Sequence, residues 1–124
     1  SRRSLNAGIV TDVLVEINIA EEASKSGVPP SEAVFFAESI MKYEGIRVRG
    51  FMTMAPAGLS DKEYHKYFNK TYRIFIDFSA KKSDNIREPV LSMGMSGSFI
   101  AAIEEGSTVV RIGTALFGRR RCDI

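Results

Sequence analysis

Two short segments hold most of the residues able to do chemistry. Met93-Gly94-Met95-Ser96-Gly97-Ser98 combines glycines, which let backbone approach a ligand closely, with hydroxyls and free N–H groups at the expected start of a helix. Such a turn can hold an anion, and it can equally be an ordinary Ser-Gly helix cap. Arg111-Ile112-Gly113-Thr114 is a second small-residue turn, with an arginine closing an otherwise apolar stretch. Burying that guanidinium without an acceptor would be very costly, so it wants either an ion pair, with Glu16 as the candidate, or a ligand's phosphate or ring nitrogen. Asn18 shares the alternating face of Glu16 near the end of a strand and reads as a ligand-facing residue or a turn former. Lys25, in Ser24-Lys25-Ser26-Gly27, is a phosphate neighbour or a solvated loop lysine.

Other reactive types are sparse. His65 lies among charges and reads as a surface residue, because a lone histidine cannot build a metal site. Cys122 is the single cysteine; without a partner it reads as a free thiol in a polar tail, in keeping with a reducing compartment. No nucleophile with a base, catalytic carboxylate pair or metal-ligand spacing is apparent.

The elements that must position these turns alternate. Asp12-Val13-Leu14-Val15-Glu16-Ile17-Asn18-Ile19 predicts a strand with Val13, Val15, Ile17 and Ile19 on one face. Ala33, Phe36, Ala37, Ile40 and Met41 fall at helical spacing, with Gly45 expected as a left-handed stop. A second strand is expected from Arg47 to Met54, followed by the turn Ala55-Pro56-Ala57-Gly58. Ser60-Asp61-Lys62-Glu63 matches the capping box that opens a helix, and Tyr64, Tyr67, Phe68, Thr71, Phe75 and Phe78 continue its core stripe. Glu88 to Met93 predicts a third strand. A short helix carrying Phe99, Ala102 and Ile103 and ended by Gly106 follows, then a fourth strand over Thr108 to Ile112. The order βαβαβαβ implies parallel strands with right-handed crossovers, in an open doubly wound sheet or part of a barrel. Both place ligands at strand C-termini, and a barrel's last two loops frequently hold a phosphate.

Composition sets the outer bounds. The 124 residues are 44% hydrophobic and 26% charged, as in a globular domain. No run approaches the roughly 20 apolar residues of a membrane span, and the basic start lacks a signal-peptide pattern, so no membrane role and a cytoplasmic location are expected. The net charge of +2 concentrates its basic excess at the two ends, without interleaved aromatics, which argues against nucleic acid as a partner. The first residue is not Met and the pattern begins mid-element, as expected of a fragment.

Taken in order, Val15-Glu16-Ile17-Asn18-Ile19, Glu21-Glu22-Ala23-Ser24-Lys25-Ser26-Gly27, Arg49-Gly50-Phe51-Met52-Thr53-Met54, Leu91-Ser92-Met93-Gly94-Met95-Ser96 and the run from Glu104 to Gly118 resemble the pyridoxal phosphate homeostasis protein family. That family is similar in fold to the N-terminal barrel domain of alanine racemase. The resemblance implies an α/β fold, the last four βα units of a (β/α)8 barrel. Residues 1–11 would be a preceding helix end and linker, 12–118 strands five to eight with their helices, and 119–124 a basic tail. It implies pyridoxal 5′-phosphate as cofactor and a role in vitamin B6 homeostasis without an established reaction. Ser96 and the backbone of Gly113 and Thr114 would hold the phosphate, Arg111 would face the pyridine nitrogen, and Asn18 would lie near the ring.

The family's Schiff-base lysine belongs to an early strand and is expected in the N-terminal half, outside this sequence; none of Lys25, Lys42, Lys62, Lys66, Lys70, Lys81 or Lys82 matches its motif. Four strands would also leave sheet edges open, so self-association or an N-terminal half is expected to close the barrel. Pyridoxal phosphate, phosphate or sulfate is the expected ligand. The competing readings are a racemase-like enzyme fragment, which needs that lysine and a second acid/base residue, and a truncated domain that binds nothing.

Overall fold

The computed structural model describes residues 1–81, 86 and 88–119. Helix α1 (Arg2–Asn6) leads into strand β1 (Thr11–Ile17); a 3-10 turn (Pro30–Glu32) opens α2 (Ala33–Ile40), and β2 (Ile46–Thr53) precedes the long helix α3 (Asp61–Lys81). Then come β3 (Val90–Ser92), α4 (Phe99–Glu104) and a one-turn helix α5 (Thr114–Phe117). The strands pair in parallel in the order β1-β2-β3, as the alternation of strands and helices predicts.

The fourth expected strand is corrected. From Thr108 to Ile112 the chain runs beside β3 but forms only one bridge, Val109 with Ser92. Backbone bonds from Val109 N to Leu91 O (3.1 Å) and from Met93 N to Val109 O (3.1 Å) make that bridge, and side-chain hydroxyls take up partners beside it: Ser107 Oγ donates to the Met93 carbonyl (2.8 Å), and Thr108 Oγ1 accepts from Leu91 N (2.8 Å). Arg111 N then donates to Gly94 O (2.9 Å), which fastens the end of this segment to the loop after β3.

One face of the sheet is sealed by the helices. Val15, Ile17 and Ile19 are buried as their alternation predicts, against Phe51, Leu91 and Met93 from the neighbouring segments. Phe68, Thr71, Phe75 and Phe78 of α3 bury the expected stripe, with Phe78 meeting Phe51 edge-on at 5.2 Å between ring centres. The opposite face, with Leu14, Glu16 and Met52, is half-buried.

Two expectations around α2 need correction. Ala33 and Ala37 are buried, but Phe36 is 40% exposed, since two small residues bring the helix close to the sheet and leave the larger ring at its flank. Gly45 does not adopt a left-handed conformation. Its lack of a side chain instead admits Ser1, whose Oγ accepts from Gly45 N (3.0 Å) and whose carbonyl occupies the space a Cβ would need.

The capping box forms as read. Ser60 N donates to Glu63 Oε2 (2.9 Å) and Glu63 N to Ser60 Oγ (3.2 Å), and the bonds from Ser60 lower the Glu63 pKa. Ser60→Ala is expected to lower the melting temperature by roughly 4 °C. Thermal denaturation followed by circular dichroism checks it, and an unchanged midpoint would show that the box adds nothing to α3.

Candidate functional site

The loops after β3 and after the fourth segment meet at Ser96. Its Oγ accepts from Gly113 N (3.2 Å) and from Ala115 N (3.1 Å), so one hydroxyl joins both small-residue turns. The lower turn is shaped by Gly94, whose φ of 100° and close packing on Ala102 exclude a side chain. Ser98 Oγ accepts from Met95 N (3.2 Å) and closes the turn that carries Ser96.

Beside this junction lies a cavity of about 390 Å3, bounded by the loop after β2, by residues 94–98, and by Gly113 and Thr114, with Tyr64 and Phe68 of α3 behind. That volume is within the about 300–1,000 Å3 of small-molecule sites. The structure therefore brings Ser96, Gly113 and Thr114 together on one wall. Sequence reasoning missed Met54, Ala55 and Tyr64 as lining residues; the Ala55-Pro56-Ala57-Gly58 turn signalled a loop but not where it would fold.

Arg111 finds its acceptor in the backbone. Its Nη2 donates to the Thr53 carbonyl (2.7 Å) at the end of β2, and Thr53 Oγ1 donates in turn to Ile17 O (2.7 Å), so the guanidinium is braced across the sheet. Burial lowers the Arg111 pKa, opposed by the negative charge of Glu16. The direct Arg111–Glu16 ion pair weighed from the sequence is not found among the described residues.

Asn18 is placed apart from the cavity wall. Its Nδ2 donates to Glu22 O (2.7 Å) and its Oδ1 accepts from Glu22 N (3.2 Å), so both ends of the amide hold the turn after β1. Lys25 is exposed on that same loop. His65 lies at the surface as expected, in an ion cluster the sequence did not show: with 28% of its side chain exposed, it is held by Glu105 at 2.9 Å, Glu104 at 3.3 Å and Asp61 at 3.5 Å. The Glu105 hydrogen bond raises the His65 pKa, and the His65 and Asn69 bonds lower that of Glu105. Cys122, Arg120 and Arg121 lie outside the described residues. Among the described residues, no cluster of three or more His, Cys, Asp or Glu could hold a metal, and no helix is long and apolar enough to cross a membrane.

Residues 2–121 match the family described as alanine racemase, N-terminal domain. The chain belongs to this family. Within it, the chain is similar to the pyridoxal phosphate homeostasis proteins, as the resemblance of its segments implies. It is 38% identical over 120 residues to the pyridoxal phosphate homeostasis protein of Aquifex aeolicus, covering 97% of this chain and 52% of that protein. It is 44% identical over 111 residues to the one of Vibrio alginolyticus, covering 87% and 45%. The chain thus spans about half the length of the curated relatives it matches.

Among solved structures it is similar to PipY of Synechococcus elongatus with pyridoxal phosphate bound, at a TM-score of 0.78 and 26% identity, covering 94% of this chain and 53% of PipY. Without the cofactor PipY gives a TM-score of 0.83. The parallel sheet with its helices therefore belongs to a TIM-barrel-type α/β family.

Proposed function

We propose that this chain contributes the phosphate side of a pyridoxal 5′-phosphate site, in a protein that serves cofactor homeostasis. Ser96 with the backbone of Gly113 and Thr114 holds the phosphate, Arg111 faces the pyridine nitrogen, and Asn18 carries the end of β1 beside the ring. The observation that carries this reading is the meeting of two small-residue turns at Ser96 on the wall of a cavity of about 390 Å3. An anion arriving there meets the Ser96 hydroxyl and the N–H groups of Gly113 and Ala115 that Ser96 Oγ accepts, donors that a phosphate oxygen can take over.

The residues fit the phosphate better than the aldehyde. Among the described residues no lysine lines the cavity. In this reading an N-terminal half supplies the Schiff-base lysine and the strands that complete the barrel. A second copy of the chain is the alternative cover for the open sheet. In this layout residues 12–118 form the last four βα units, and the protein acts in the cytoplasm. When bound, the cofactor supplies an electron-accepting ring; a guanidinium facing its nitrogen disfavours protonation there and restrains that capacity.

A pyridoxal-phosphate titration of the chain, with equilibrium dialysis and borohydride reduction, tests the reading. Binding without reductive trapping is expected. Trapping on one lysine of this chain would overturn the assignment of the bonding residue elsewhere, and no binding would overturn the site itself.

A further inference from the structure

Helix α4 connects the anion loop to an ionic cluster that the proposed site does not use. Only Ala101 and Ala102 of its six residues are buried, while Ile100 and Ile103 are 62% and 54% exposed. Two alanines contribute little apolar burial, so the placement of this short helix depends heavily on polar ties near its ends. At its start Ser98 receives Met95 N; beyond its end Ser107 Oγ donates to Met93 O. At its last turn Glu104 and Glu105 meet His65 of α3, and Asn69 Nδ2 adds a bond to Glu105 Oε2 at 3.0 Å.

We propose that His65 is a positioning residue for the 94–98 loop: its protonated ring ties Glu104 and Glu105 of α4 to α3 together, and so holds Ser96 where the anion binds. This rests on the phosphate reading above. A neutral imidazole has one N–H and no charge; the imidazolium keeps the Nδ1 hydrogen bond to Glu105 and adds an ion pair with Glu104, whose carboxylate lies 3.3 Å from Nε2. Protonation therefore adds a second tie between the helices. The groups facing the ring are Asp61 on its own helix and Glu104 and Glu105 on α4, with Arg73 acting on Glu105. Three carboxylates surround one imidazole, so the balance favours the charged form.

The sign follows from linkage. The folded-state pKa of His65 is raised above its ordinary 6.5, so the stabilisation is fully present below that value and is lost as pH rises through the raised pKa. Glu105 is lowered from 4.5, so its share is present above that value and is lost as pH falls through the lowered pKa. The tie is strongest between these two limits.

Sulfate is the probe for the test, because it stays a dianion between about pH 5 and 9, where phosphate changes charge and histidine titrates. Sulfate affinity of the chain is expected to fall about five-fold as pH rises through the His65 titration, and to change little over that range in His65→Gln. Since His65 is the single histidine, its NMR titration is unambiguous, and by reciprocity its pKa must rise when sulfate is bound. A His65 titration indifferent to saturating sulfate, or equal pH profiles in the two proteins, would overturn the positioning role while leaving the phosphate reading intact. Absence of sulfate binding by the unsubstituted chain at every pH would overturn both. The NMR titration decides the question in the unsubstituted protein even where His65→Gln does not fold.

Discussion

Ser96→Asp is expected to weaken binding of pyridoxal phosphate or inorganic phosphate by about 100-fold. The effect has two parts. A carboxylate at this position can accept the N–H groups of Gly113 and Ala115 that Ser96 Oγ now receives, so the junction between the two turns keeps its acceptors. The same carboxylate places a negative charge beside the incoming phosphate, and like charges about 4 Å apart repel by about 4 kcal/mol at the effective dielectric of a protein surface, which salt screening reduces toward the roughly 2.7 kcal/mol of a 100-fold loss. Ser96→Ala makes the contrast: it loses the acceptor without adding charge, and a loss of about ten-fold or less is expected. Equilibrium dialysis at fixed ionic strength, with circular dichroism to confirm the fold, measures both. Equal affinities for Ser96→Asp and the unsubstituted chain would remove Ser96 from the site.

Gly50→Val is expected to cost about 3 kcal/mol or more, a large part of the stability of a domain this size. Gly50 follows a bulge at Arg49, where the register against β1 steps from Val13–Val48 to Leu14–Gly50. Its φ of 152° is disfavoured for a residue with a side chain, and a Cβ there would fall on the Val90 carbonyl of β3. A valine must therefore push β2 from β3, the strand that leads directly into the 94–98 loop. A lower midpoint in urea with loss of phosphate binding is the expected result. An unchanged midpoint would mean that the sheet absorbs the side chain without parting these strands.

The parts of the fold legible in the sequence are those decided by local pattern. Alternation in β1 buries Val15, Ile17 and Ile19, and the helical stripe buries Phe68, Thr71, Phe75 and Phe78, because each periodicity directs one set of side chains to one face. The Ser60–Glu63 capping box is also local, since both partners lie within one turn. The two small-residue turns at Ser96 and Gly113 were legible as candidates, and the order of segments carried the family resemblance.

What tertiary structure decided is everything that depends on separated segments meeting. Thr108 to Ile112 has the composition of a strand, yet hydroxyls of Ser107 and Thr108 compete for its backbone partners on β3 and leave a single bridge. Gly45 has the sequence position of a helix stop, but contact with Ser1 explains it better. Arg111 required an acceptor by its chemistry alone; only the packing of β2 beside the last segment could supply Thr53 O in place of Glu16. His65 is the plainest case. Its nearest sequence partner, Asp61, is one helical turn away, while Glu104 and Glu105 are about forty residues distant and meet it only because parallel crossovers lay α4 beside α3. Composition and periodicity determine which residues are buried and where the chain turns; long-range packing determines which polar groups become partners, because hydrogen bonds and charges act over a few ångströms of space whatever their separation along the chain.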